Sequence, residues 1–104
     1  MQELKDQDFS EKVINHPGVS VIDFWAPWCG PCRMLGPIFE QAADTVGHKA
    51  QFFKMNIEED PYTAGTYGVS SIPTLILFKD GHLKDQIVGV RSKDDIVKWV
   101  EKFI

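Results

Sequence analysis

Cys29 and Cys32 are the two thiols of this chain, and Gly30 and Pro31 separate them. Thiols at that spacing can close a small disulfide loop and reopen it, a two-electron exchange. They stand where an apolar run, Val19–Trp25, gives way to a helical pattern. The first turn of a helix offers backbone N–H groups without intrahelical partners and the positive end of the helix dipole. A thiolate at Cys29 is favoured there over a thiol. A good terminus contributes up to about 2 kcal/mol, more than the ~1.4 kcal/mol that a tenfold shift towards thiolate requires. Cys29 is therefore expected to attack a substrate disulfide, and Cys32 to resolve the mixed disulfide that results. At the open end of the helix, Cys29 should be the more exposed and the more acidic of the two. Pro31 lacks an N–H, which costs nothing in a first turn.

Three other uses of the pair compete with exchange. A structural staple is the first, but closing a four-residue loop contributes only about 1.9 kcal/mol in the chain-entropy model, against about 3 for fifteen residues. A zinc or iron–sulfur site is the second. It needs about four ligands, and His16, His48 and His82 show no paired ligand spacing. Two inert buried thiols are the third. The position directly after a strand favours the redox reading over all three.

Asp23 lies in the middle of the apolar run, six residues before Cys29. A buried carboxylate is costly unless paired or protonated, and burial raises its pKa. It is a candidate proton acceptor for Cys32; the plainer alternative is an edge position where Asp23 meets water. Lys54, on the next strand, is its candidate partner or else an ordinary snorkelling lysine. Trp25 and Trp28 bracket the turn before the cysteines. Trp25 reads as core, and Trp28 as a partly exposed contact surface beside the reactive sulfur.

These residues need a scaffold that alternates strands and helices, and the chain supplies one. The pattern predicts a short strand near Gln2–Leu4 and a helix around Asp8–Asn15, broken by His16-Pro17-Gly18. Val19–Trp25 is apolar on both faces, as a central strand covered on both sides should be. After Cys29, residues Leu35, Ile38, Phe39, Ala42 and Val46 form an amphipathic stripe, with a kink expected at Pro37 and an end at Gly47. Strands follow at Gln51–Ile57 and Thr74–Lys79, with a short helix over Pro61–Tyr67 between them. Asp80-Gly81 is a hairpin turn signal leading into a strand near Lys84–Val90, where Gly89 suggests a bulge or a close backbone approach. A last helix begins near Lys93 and aligns Ile96, Trp99, Val100 and Phe103. The strand–helix–strand unit demands a parallel pair and the hairpin an antiparallel one. The expectation is an α/β fold with a mixed sheet of four or five strands and helices on both faces.

At 104 residues and 11.8 kDa, one domain spanning 1–104 is expected, exposing about 5,900 Å² when folded. Hydrophobic residues make up 43% and charged residues 25%, which excludes a disordered chain. The longest apolar run, Leu75–Phe78, is far short of a membrane span. The net charge of −4 and the lack of a basic stripe argue against nucleic acid. The first residues show neither a secretory signal nor an Arg-rich transit pattern, which favours the cytoplasm.

The run Val21-Ile-Asp-Phe-Trp-Ala-Pro-Trp-Cys-Gly-Pro-Cys32, with Gly36-Pro37, Ile72-Pro-Thr74, Phe78-Lys-Asp-Gly81 and Val88-Gly89, resembles the thioredoxin family nearly end to end. The resemblance implies a central sheet of about five strands flanked by four helices and a cis bond at Ile72–Pro73. It implies Cys29 as nucleophile, Cys32 as resolving thiol and Asp23 as a buried base near Lys54. The family's docking surface falls on Trp28, Gly30, Pro31, Ile72, Pro73, Val88 and Gly89. Ser70-Ser71 departs from the arginine or glycine that many relatives carry before the cis proline, which bears on partner choice. The function expected is reduction of disulfides in other proteins, with no cofactor of its own, recharged by a thioredoxin reductase, as a monomer. The rival from another class is a non-catalytic subunit or scaffold whose cysteines are dispensable. Within redox chemistry, the Gly30-Pro31 pair argues against a glutaredoxin and against a secretory oxidase or isomerase.

Overall fold

A computed structural model describes residues 1–104. Its five strands are β1 (Gln2–Glu3), β2 (Val19–Trp25), β3 (Ala50–Asn56), β4 (Thr74–Lys79) and β5 (His82–Val88). They form one sheet in the order β1-β3-β2-β4-β5. β3 runs parallel to both β1 and β2, and β4 runs antiparallel to β2 and β5. β2 is thus the central strand, as its two apolar faces require, and all but Trp25 of its residues are buried. The α-helices are α1 (Gly30–Val46), α2 (Pro61–Thr66) and α3 (Lys93–Glu101). No helix is long and apolar enough to cross a membrane.

Strand alternation sends side chains to two separate cores. Val21, Leu75 and Leu77 pack with Leu35 and Phe39 of α1 and with Ile96 and Trp99 of α3. On the opposite face Ile22, Phe24, Ile76 and Phe78 pack with Phe9 and Val13 of the N-terminal segment and with Ala64 of α2. The expected stripe on α1 is the buried one, with Ile38 at its margin. Helix α1 runs through Pro37, and its end at Gly47 is as expected. The folded chain exposes 5531 Å².

Three local expectations need correction. The segment expected as a helix over Asp8–Asn15 is instead a 3₁₀ turn, Asp6–Asp8, followed by a wider π-type turn over Ser10–Ile14. Its backbone starts early because the Asp6 carboxylate accepts hydrogen bonds from Tyr62 N–H, Thr63 N–H and Thr63 Oγ1 at the start of α2. β5 occupies His82–Val88 rather than Lys84–Val90. Its irregularity lies between Leu77 and Phe78 on the partner strand, where Lys84 is the unpaired extra residue, and not at Gly89. Gly89 follows the strand at φ +93° and donates its N–H to Pro73 O at 2.8 Å. Its positive φ, rather than a bulge or a close backbone approach, is what favours glycine there.

Candidate active site

The junction of β2 and α1 builds the site. Cys29 N–H donates to Ala26 O at 3.1 Å, closing the turn that ends the strand. Cys29 is then the N-cap of α1, with extended backbone, and its sulfur accepts the Cys32 N–H at 3.2 Å. A serine or aspartate oxygen does the same work at other helix starts. Here the acceptor is sulfur, and a thiolate in that place gains both the N–H and the helix dipole. Cys29 and Cys32 are joined in a disulfide, with Cα atoms 5.2 Å apart.

The expectation that the Cys29 thiol is the more exposed concerns the reduced protein; in this oxidised form both residues are covered. Cys29 is 4% exposed and Cys32 3%. Ala26, Trp25, Ile57 and Ile72 close around both sulfurs. Ile72 O lies 3.9 Å from Cys29 Sγ, and the Ile72–Pro73 bond is cis. A loop 43 residues distant in sequence therefore forms one wall of the site.

Trp28, next to Cys29 in sequence, is 64% exposed. Its indole Nε1 donates to a Glu58 carboxylate oxygen at 2.6 Å, which fixes the ring over the β3–α2 connection. Sequence reasoning missed Glu58; an acidic residue just past β3 gives no sign of which side chain it meets. Gly30, Pro31 and Val88 are exposed, whereas Ile72 and Gly89 are half-buried. Pro73 itself is buried, so Ile72 and Ser71 are what that turn presents to solvent.

Asp23 is fully buried on the central strand, so it is no edge residue. It sits between Val21, which packs on α1, and Trp25, which packs on the cysteines, and alternation points all three to the same face. Neither carboxylate oxygen has a hydrogen-bond partner. Burial pushes its pKa from 3.8 up to about 7, Lys54 pulls it down and Glu3 raises it further. Lys54 is Asp23's neighbour in the β2–β3 register but not its ion-pair partner. The ammonium stands 4.4 Å from the centre of the Trp25 ring instead, where a half-buried lysine keeps partial hydration and gains the ring's negative face.

The thioredoxin family model matches residues 1–102. The chain belongs to the thioredoxin family. It is 45% identical over 102 residues to Thioredoxin 2 of Chlorobaculum tepidum, covering 98% of this chain and 94% of that protein. It is 44% identical to a thioredoxin of Staphylococcus aureus over 97% of this chain and 95% of the other. It is 43% identical to Thioredoxin M4, chloroplastic, of Arabidopsis thaliana, covering 97% of this chain and 52% of that protein. The five-stranded mixed sheet with its helical segments is the thioredoxin fold. With the Cys29–Cys32 couple in place, this thioredoxin-family chain is a thiol–disulfide oxidoreductase that reduces disulfides in other proteins.

Proposed function

We propose that the two cysteines have fixed and different roles in that exchange. Cys29, as thiolate, attacks one sulfur of a substrate disulfide. The substrate S–S bond breaks, and one substrate thiolate leaves. Cys32 then attacks Cys29 Sγ in the mixed disulfide, gives up its proton and expels the second substrate thiolate. The Asp23 carboxylate accepts the Cys32 proton. Two electrons have passed to the substrate, and Cys29–Cys32 is left as a disulfide. The observation that carries this order is the Cys32 N–H aimed at Cys29 Sγ, 3.2 Å away, at the N-cap of α1.

Docking falls to Trp28, Gly30, Pro31, Ile72, Val88 and Gly89, with buried Pro73 holding the turn behind Ile72. The whole chain, 1–104, acts as one thioredoxin domain, a monomer in the cytoplasm, recharged by a thioredoxin reductase. The attack order is tested by trapping. Cys32→Ser removes the resolving step and should accumulate mixed disulfides with protein substrates on non-reducing gels, while Cys29→Ser should accumulate few. Equal trapping by the two variants overturns the assigned roles.

A further inference from the structure

The sheet register lines up three charged side chains. Glu3 on edge strand β1 is opposite Lys54 on β3, and Lys54 is opposite Asp23 on β2. Register partners on parallel strands point to the same face, so all three share the side covered by α1. Two strand spacings put the Glu3 and Asp23 backbones about 10 Å apart, with Lys54 between them. Lys54 could close on either carboxylate, yet it closes on neither. Its ammonium lies against the Trp25 ring, and both Asp23 oxygens remain without a partner.

We propose that Glu3 is a positioning residue for the resolving step: from the sheet edge it shares the field of Lys54 with Asp23 and adds a like charge, so that the buried carboxyl takes up a proton readily. The inference rests on the reading of Asp23 as proton acceptor. A cation shared between two carboxylates stabilises each less than it would stabilise one alone. The charges acting on Asp23 are Lys54, which favours its ionised form, and Glu3, which opposes it. Glu3 itself is raised by burial and lowered by Lys54, by Lys5 and by the Trp25 indole, with Glu59 opposing. Cys32, the titratable group in the first turn of α1, carries no charge while it is in the disulfide.

The oxidised full-length protein suits the test, because neither cysteine titrates in it. Carboxyl carbon NMR would follow Asp23 from pH 4 to 10 in the wild type and in Glu3→Gln, Glu3→Asp and Lys54→Gln. Glu3→Gln should move the Asp23 midpoint down, Glu3→Asp should keep it at the wild-type value, and Lys54→Gln should move it up. Stopped-flow release of a preformed mixed disulfide gives the functional readout. Its rise with pH should move the same way, making Glu3→Gln faster on the order of twofold at pH 6, where more of Asp23 is ionised, and slower than the wild type at pH 8, where Asp23 is ionised in both proteins and is the weaker base in the variant. An Asp23 midpoint that Glu3→Gln leaves in place, or that Glu3→Asp moves equally far, overturns the role of Glu3. If the midpoints move as expected but Asp23→Asn releases the mixed disulfide at the wild-type rate, the proton-acceptor reading fails instead. Any role of Glu3 in resolution then falls with it.

Discussion

The backbone N–H of Cys32 and the sulfur of Cys29 face each other across the first turn of α1 at 3.2 Å. In the reduced protein that N–H would favour a thiolate at Cys29, the residue proposed to attack. In the oxidised protein the two residues are almost equally covered, and the N-cap place of Cys29 is what sets them apart.

Limiting iodoacetamide near pH 7 should therefore label Cys29 of the reduced protein first. Peptide mapping checks this, and preferential labelling of Cys32 would contradict the N-cap argument.

Asp23→Asn should stabilise the fold and slow resolution. The folded pKa of Asp23 is about 7 against 3.8 for the free group. Between those values the unfolded chain has released the proton and the folded one holds it, so stability falls as pH rises through that window. Above about pH 7 the loss is complete, on the order of 4 kcal/mol. The gain from Asn should be larger at pH 9 than at pH 5 in urea melts. A gain independent of pH would mean that Asp23 ionises in the folded protein as it does in water.

Reduction should leave the protein folded at 25 °C. The Cys29–Cys32 loop removes little chain entropy, about 2 kcal/mol, while two apolar cores flank the sheet. Circular dichroism of the reduced form measures it, and a reduced protein that unfolds would restore the staple reading.

Trp28→Ala should lower kcat/KM for protein disulfides about tenfold, a loss of about 1.4 kcal/mol. The side chain is 64% exposed, so stability should change by no more than about 0.5 kcal/mol. An unchanged kcat/KM would remove Trp28 from the docking surface.

Gly81→Ala should destabilise more than Gly89→Ala. Both glycines have positive φ, which costs an alanine about 1–2 kcal/mol. At Gly89 the new methyl would meet only the end of the Arg91 side chain, at 3.6 Å. At Gly81 it would strike the Ile14 backbone carbonyl. Equal denaturation midpoints for the two variants would show that the Ile14 segment yields freely.

The strands and helices that position the disulfide were legible because each has a local signature. The two-faced apolar run of β2, the stripe on α1 and the Asp80-Gly81 turn all follow from residues close in sequence. What escaped depends on distant partners. The N-terminal turns are set by Asp6 meeting Tyr62 and Thr63, more than fifty residues on. Glu58 matters because of Trp28, and Lys54 leaves Asp23 for an aromatic face. Glu3 acquires meaning only once β1 is seen to pair with β3. Periodicity names the face a side chain points to, but not which of two neighbours it meets there.

The extra residue at Lys84 has a further consequence. β5 is the outer strand beyond β4, and nearly all of its residues are exposed. A flat strand of this length would offer its free backbone groups as a template for another chain. The added residue twists the strand and breaks the even spacing of those groups, and Lys84 and Asp85 place charges there. An incoming strand would have to match a broken ladder and bring opposing charges into line, so this border resists fibrous stacking.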